Sequence, residues 1–119
     1  VFAGKKGNDE YNDRLAALKP AISFMEKNLS SDISLTEIAQ VIGVTPSHLC
    51  RMFKKCYNMS VFQFLTNMRI QKSKQLLTQH PGMKIKEISK KAGYNDASYF
   101  SMVFKKLEGI TPQEFRGTY

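Results

Sequence analysis

The stretch SLTEIAQVIGVTPSHLCRMFKK, residues 34–55, predicts two short helices joined by a glycine turn. Ser34 and Glu37 have the spacing of a capping box, in which a hydroxyl and a glutamate satisfy the free amides of a helix start. We expect this helix to end at Gly43, because glycine permits the left-handed backbone of a tight turn. Thr45, followed by a proline, then supplies the cap of a second helix.

The second helix is amphipathic. Leu49, Met52 and Phe53 recur at the spacing that places apolar groups on one helix face. The polar residues on or near the opposite face are His48, Cys50, Arg51 and Lys54. In the preceding helix Ala39 is small enough for the two helices to approach closely, as in a helix-turn-helix. When such a unit binds DNA, its second helix lies in the major groove.

The same pattern occurs again about 50 residues later. In the second copy Ile85, Ile88, Ala92 and Gly93 correspond to Leu35, Ile38, Ile42 and Gly43 at an offset of 50. After the turn, YFSMVFKK (residues 99–106) corresponds to HLCRMFKK (residues 48–55) at an offset of 51. One inserted residue in the second turn explains the change, so the chain contains an internal repeat.

The rest of the chain reads as further helices. Ser60 can cap a long helix to about Thr78, which a Pro-Gly pair ends. We expect a further helix over about residues 20–28, with Pro20 in its first turn and a looser helical lead-in from residue 12. The fold class is therefore all-α, with two helix-turn-helix units joined by a long linker helix. The predicted domains are a linker (1–11), the first unit with the connecting helix (12–78) and the second unit (79–119).

Charge narrows the class of partner. The net charge is +8, and residues 31–119 carry 13 Lys/Arg against 6 Asp/Glu. Such an excess favours a polyanionic partner, with nucleic acid ahead of a membrane surface. No apolar run is long enough to span a bilayer, and no signal-peptide pattern opens the chain. A solvated basic surface remains the alternative.

Cysteine usage and catalytic patterns exclude several other classes. Cys50 and Cys56 lie six residues apart, which is not a facing spacing on a helix, so we expect no disulfide and a reducing, cytoplasmic setting. Together with His48 they match no zinc pattern. No nucleophile lies near a base, and there is no glycine-rich phosphate loop. We therefore expect neither an enzyme nor a bound cofactor or metal, and Cys56 is interpreted as a small buried group.

The exposed residues near the start of each second helix are the candidates for reading DNA sequence. In the first unit these are Ser47, His48, Cys50 and Arg51. Arg51 is chemically the best placed, because a guanidinium can donate two hydrogen bonds to guanine O6 and N7. Lys54 and Lys55 lie further along and suit phosphate contact. The second copy presents Ala97, Ser98, Ser101 and Met102, and Met102 stands where the first repeat has Arg51.

The connecting helix has a length that suits two-site binding. From residue 60 to about residue 78 it would be roughly 28 Å long at about 1.5 Å per residue. Successive major-groove faces of B-DNA are about 34 Å apart, so both second helices could reach one side of a duplex. Bending of the DNA, at a cost of order 1–6 kcal/mol, would close the difference.

The motifs resemble those of the AraC/XylS family of bacterial transcription regulators. The likeness covers about residues 20–116, and its most specific part is IKEISKKAGYNDASYFSMVFKKLEGITPQEFR, residues 85–116. The resemblance implies a module of about seven helices that binds promoter DNA through two helix-turn-helix units.

The resemblance also implies site residues. It places base-facing roles on Ser47, Cys50, Arg51, Ala97, Ser98, Ser101 and Met102. We assign phosphate contact to His48, Lys54, Lys55, Lys84, Lys105 and Lys106; Lys84 replaces the small capping residue that is usual there. Family members often carry arginine at the position of Met102. They usually have a separate sensing, dimerising or receiver domain, and because the first residue is Val1, we interpret the chain as a fragment of a longer protein.

Three functions remain open at this point. The first is a sequence-specific DNA-binding module, which needs Arg51 and the two lysine pairs exposed on its binding face. The second is a helical protein-interaction module with a solvated basic surface. The third is sequence-independent binding to nucleic acid, which would show a low ratio of specific to non-specific affinity. We adopt the first as our prediction.

Overall fold

The computed structural model describes the backbone of residues 2–118 and the side chains of residues 10–118. Within this range there are seven α-helices and no strand, which confirms the predicted all-α fold. The helices are α1 (Phe2–Lys27), α2 (Leu35–Val41), α3 (Pro46–Tyr57), α4 (Val61–Gln79), α5 (Ile85–Lys91), α6 (Ala97–Glu108) and α7 (Pro112–Thr118).

The first helix is longer than the sequence predicts. We predicted a helix proper over about residues 20–28 with a looser helical lead-in from residue 12, whereas α1 begins at Phe2 and contains Pro20. Leu18, Ala21 and Met25 are all fully buried and lie on both sides of the proline, so packing stabilises the helix across the missing hydrogen bond. The first residue of the predicted linker lies outside the described residues, and a linker role for the remainder stays a prediction.

The chain divides into two compact units. The first comprises the described part of Val1–Asn28 together with Ile33–Leu65, and the second comprises Leu29–Asp32 with the described part of Thr66–Tyr119. Each unit contains one copy of the repeat. The compact units divide inside α4, whereas the predicted domain boundary after residue 78 follows the repeat pattern in the sequence, and that boundary stays a prediction.

In the first unit, the predicted local signals set the ends of α2 and α3. The backbone N–H of Glu37 donates to Ser34 Oγ (3.1 Å), and the N–H of Ser34 donates back to Glu37 Oε1 (3.4 Å). Thr45 Oγ1 accepts from the N–H of His48 (3.2 Å). Gly43 has a φ of +69°, as a tight left-handed turn requires. The predicted helix-turn-helix of this unit is therefore confirmed.

Aromatic and aliphatic side chains fill the interior of the first unit. Phe53 is fully buried on α3 and packs edge-on against Phe64 of α4, with ring centroids 5.2 Å apart. Ile38 and Leu49 are also buried, and Cys56 is only 8% exposed, which confirms its predicted place in the core. This packing fixes which face of α3 is turned outward.

The second unit repeats this geometry with one extra residue in its turn. The N–H of Tyr94 donates to the carbonyl of Ser89 (2.9 Å), as the N–H of Val44 does to Ala39 (3.1 Å) in the first unit. Asp96 caps α6 by accepting from two backbone amides, at 2.8 and 3.2 Å. Two residues separate Gly93 from this cap, whereas one separates Gly43 from its counterpart, which explains the change of offset.

In the second unit, phenylalanine rings fill the core, and an arginine side chain bonds to the backbone of a preceding segment. Phe104 packs edge-on against both Phe100 and Phe115, with ring centroids 5.8 and 5.5 Å apart. Arg69 donates to the carbonyls of Leu29 (3.1 Å) and Ser31 (3.0 Å), which ties the segment Leu29–Asp32 to this unit. These bonds satisfy backbone acceptors that no helix uses.

A buried hydroxyl lies beside the second turn. Tyr94 is 8% exposed, and its hydroxyl oxygen has no hydrogen-bond partner among the described residues. Burial raises the pKa of Tyr94 above its ordinary value of 10.0, and the charge of Arg69 only partly opposes this. The folded state therefore keeps this proton to a higher pH than the unfolded state does.

We expect Tyr94→Phe to raise the free energy of unfolding at pH 7 by about 1 kcal/mol, because it removes a buried hydroxyl without a partner. Because the folded state binds the Tyr94 proton more tightly than the unfolded state, ionisation above pH 10 favours unfolding of the wild-type protein, so the advantage of the variant should widen in alkali. Urea unfolding of both proteins at pH 7 and pH 11 tests this. A difference that stays constant across that interval would contradict it.

Candidate nucleic-acid interface

The outward face of α3 carries most of the residues predicted for the first unit. Ser47, His48 and Arg51 are exposed, and so are the two lysines in the last turn of the helix, Lys54 and Lys55. Ser47, Arg51 and Lys54 follow one another at spacings of four and three residues, so they share one side of the helix. The structure thus brings a guanidinium, a hydroxyl and a lysine together on one exposed surface.

Cys50 is less accessible than the other predicted residues of α3. Its side chain is half-buried and borders an apolar cavity of ≈ 210 Å³ that Ile38, Val61 and Phe62 also line. It therefore lies at the edge of the exposed face rather than at its centre. Base contact by Cys50 stays a prediction.

The corresponding face of α6 has a different chemistry. Ser98 and Met102 are exposed, and Met102 keeps 60% of its surface open. Ala97 and Ser101 are half-buried, and the lysines that follow, Lys105 and Lys106, are exposed. The predicted residues therefore lie on the outward side of the helix, with an uncharged first half and a basic end.

The two aromatic residues near the start of α6, Tyr99 and Phe100, differ in their exposure to solvent. Phe100 is fully buried, but Tyr99 is 48% exposed, because it occupies the register that the exposed His48 has in α3. Tyr99 is thus a further exposed polar group beside the α6 face, and its ring lies 6.1 Å from that of Tyr94.

Four exposed lysines lie at the start of α5 and along it, and of these only Lys84 was predicted for phosphate contact from the sequence. Lys84 is exposed at the start of α5, and it does not cap the helix, because an ammonium group cannot accept hydrogen bonds from backbone N–H groups. Lys86, Lys90 and Lys91 are exposed as well. The spacing of four residues between Lys86 and Lys90 could have indicated this basic surface, since it places both side chains on one helix face. The equivalent helix α2 contains no lysine or arginine.

Other cations serve the fold. Arg69 donates to two backbone carbonyls, Arg116 donates to the carbonyl of Met83, and Lys74 forms a salt bridge with Glu108 at 2.8 Å. The basic residues that remain exposed in the two repeats lie on α3, on α6 and around α5. The excess charge predicted from composition is therefore concentrated on the second helices and on α5.

Two further observations concern alternative kinds of site. Among the side chains of residues 10–118, no group of three His, Cys, Asp or Glu residues is arranged to hold a metal ion. Over the same range, none of the helices combines the length and the apolar character needed to cross a membrane.

This fold and this arrangement of helices match known DNA-binding regulators. Residues 29–118 match a helix-turn-helix domain family. The chain is 32% identical over 100 residues to the arabinose operon regulatory protein of Escherichia coli, covering 83% of this chain and 34% of that protein. It is 30% identical over 99 residues to an uncharacterized HTH-type transcriptional regulator of Pseudoalteromonas carrageenovora, covering 83% and 58%.

A solved structure agrees. The crystal structure of a transcriptional regulator from Chromobacterium violaceum, described as an AraC-type DNA-binding domain-containing protein, superposes with a TM-score of 0.82. The identity is 29%, and the match covers 87% of this chain and 91% of that one. The chain belongs to the AraC-type helix-turn-helix family, whose members are DNA-binding transcription regulators rather than enzymes. It spans less than two thirds of the length of the curated relatives named above.

Proposed function

We propose that the chain is the sequence-specific DNA-binding module of a bacterial transcription regulator and that it inserts α3 and α6 into successive major grooves. The observation that carries this proposal is that each second helix of the repeat turns an exposed face outward and has an exposed lysine pair in its last turn. In DNA-binding helix-turn-helix proteins the second helix reads base edges, while basic groups contact phosphates.

The proposed roles follow the position and chemistry of each side chain. Base contact falls to Ser47, Cys50, Arg51, Ala97, Ser98, Ser101 and Met102. Phosphate contact falls to His48, Lys54, Lys55, Lys84, Lys105 and Lys106, and we add Lys86, Lys90 and Lys91 of α5. Arg51 is central to readout because its exposed guanidinium can pair with guanine through two hydrogen bonds.

The rest of the regulator is part of the proposal. Since the chain spans 34% of the arabinose regulator, we propose that a separate sensing, dimerising or receiver domain accompanies it in the full-length protein. Double-stranded DNA is the proposed partner. A cytoplasmic location is also proposed, because the promoter DNA of bacteria lies in the cytoplasm.

The test of this function is selection from a randomised duplex library, followed by fluorescence-anisotropy titration of this chain against the selected duplex and a scrambled one. We expect the selected duplex to bind at least about a thousandfold more tightly at physiological salt. Salt-sensitive binding with equal affinity for both duplexes would instead indicate sequence-independent binding. Absence of binding at low salt would favour the protein-interaction module.

We expect Lys105→Ala to weaken binding to all duplexes by a similar factor and to flatten the dependence of log K on log salt by about one, because each phosphate contact releases roughly one counterion. Lys19→Ala, which removes the same charge from an exposed position of α1, is the matched control and should leave the slope unchanged. Titrations at three salt concentrations measure both slopes. A loss confined to one sequence would contradict a phosphate role for Lys105.

A further inference from the structure

The outward faces of α3 and α6 that we propose to contact bases, here called the reading faces, differ in their central residue. Ser98, Met102 and Lys105 of α6 occupy the same helical register as Ser47, Arg51 and Lys54 of α3, at the offset of 51 that the repeat sets. The flanking serines and lysines are therefore equivalent. The central residue changes from a cation with several hydrogen-bond donors to an unbranched thioether with none.

Met102 is not held in the core. It keeps 60% of its surface exposed, whereas its helix neighbours Phe100 and Phe104 are completely buried. A large apolar side chain exposed among serines and lysines is an informative exception to the usual surface composition. Its flexible chain can adapt to an irregular apolar partner, which is a known property of methionine at binding surfaces.

Basic residues are also distributed differently in the two units. In the first unit the positive charge lies on the reading helix itself, and α2 has none. In the second unit it lies on α5 and at the end of α6, where Lys86, Lys90, Lys91, Lys105 and Lys106 are exposed. The second unit thus has the means to hold phosphates without a cation at the centre of its reading face.

The chemistry of the major groove limits what Met102 can read. Guanine, cytosine and adenine present hydrogen-bond donors or acceptors there, and an apolar side chain packed on them would leave these groups without partners. Thymine also presents an acceptor, O4, but it is the only base with a C5-methyl group in the same groove. Packing of the methionine side chain on this methyl is the contact that leaves the fewest polar groups unpaired.

We propose that the second unit reads a thymine-bearing half-site through contact between Met102 and a thymine methyl group, and that the first unit reads a guanine-bearing one. The proposal rests on the proposed function, since it specifies the DNA that the same site takes. Ser98 and Ser101 do not fix the base, because a hydroxyl can pair with several base edges.

Deoxyuridine supplies the test, because it differs from thymidine only by the missing methyl. The half-site of the second unit is first located in the selected duplex as the one whose sequence preference survives Arg51→Ala. Each thymidine is then replaced in turn by deoxyuridine. We expect one replacement in that half-site to weaken binding about fourfold, the effect of one buried methyl group.

Variants of Met102 supply the controls. In Met102→Ala the same deoxyuridine replacement should have no effect, whereas Met102→Leu should keep most of the sensitivity. Met102→Arg should shift the preferred base at that position from thymine to guanine. These variants change an exposed side chain, so the fold should tolerate them.

Two results would overturn the proposal and are distinguishable from each other. If the chain binds its selected duplex specifically but no deoxyuridine replacement depends on Met102, the thymine contact is wrong while the proposed function stands. If no duplex is preferred over scrambled DNA, the proposed function fails and this inference fails with it.

Discussion

Gly93→Ala should destabilise the second unit by at least about 3 kcal/mol, because strain and overlap act together there. Gly93 has a φ of +100°, in a region that side chains rarely adopt. A Cβ atom at this position would overlap the carbonyl oxygen of Leu29 and lie 2.7 Å from Arg69 Nε. The carbonyl belongs to backbone that Arg69 already fixes with a hydrogen bond, so neither group can move away cheaply.

The repeat provides a matched control. Gly43 holds the equivalent turn position with a φ of +69°, but a Cβ there would meet no atom within 4 Å. Gly43→Ala should therefore cost only the conformational strain of about 1–2 kcal/mol. Amide hydrogen exchange at Phe104 reports on the second unit and exchange at Phe53 on the first. If both substitutions lowered the free energy of unfolding by the same amount, the close approach of the Leu29 carbonyl to Gly93 would add no cost, which contradicts this account.

Arg51→Ala should reduce affinity for the selected duplex by about 1–3 kcal/mol and relax the preference at one base pair. The reason is that a guanidinium donating to guanine O6 and N7 discriminates against the other bases, whereas alanine offers no donor. The measurement is an anisotropy titration against the selected duplex and its three variants at that base pair. An equal loss of affinity for all four duplexes would contradict a base-reading role.

Arg51→Lys separates base reading from simple charge. Lysine keeps the positive charge but lacks the planar, two-pronged set of donors. If Arg51 reads guanine, this variant should lose most of the discrimination while keeping much of the salt dependence. If Arg51 contacts a phosphate, lysine should substitute with little loss.

Local chemistry explains why most of the fold is predictable from sequence. The capping box that begins α2, the Thr45 cap of α3 and the glycine turns each depend on residues within a few positions of one another. The repeat then predicts a second unit of the same kind. Even the extra turn residue was visible as a change of offset, which Asp96 explains as a displaced helix cap.

Features that depend on distant contacts could not be predicted in this way. Pro20 suggested a helix start, but burial of Leu18 and Met25 on either side continues α1 through it. The hydrogen bond from Arg69 to the carbonyl of Leu29 joins residues 40 positions apart, and the periodicity of the sequence does not predict it. The close approach of the Leu29 carbonyl to Gly93 follows from that same contact. The sequence therefore indicates that a turn needs glycine here, but not that the neighbouring backbone leaves no room for a side chain.

The candidate site was predictable to the extent that helical register determines exposure. Arg51 and Met102 lie on the outward faces that the apolar periodicity of α3 and α6 implies. The exposure of Cys50 and of Tyr99 was harder to predict from register alone, because both lie at the boundary between the two faces. At such a boundary the neighbouring helices decide exposure, and these are set by the tertiary fold.

The most direct test of two-helix DNA reading is a hydroxyl-radical and methylation footprint of this chain on its selected duplex. We predict two protected major-groove segments on one side of the DNA, with centres about 10–10.5 base pairs apart. Guanine methylation should be blocked in the half-site that Arg51 reads. A single protected groove, or uniform protection without a preferred position, would contradict the account.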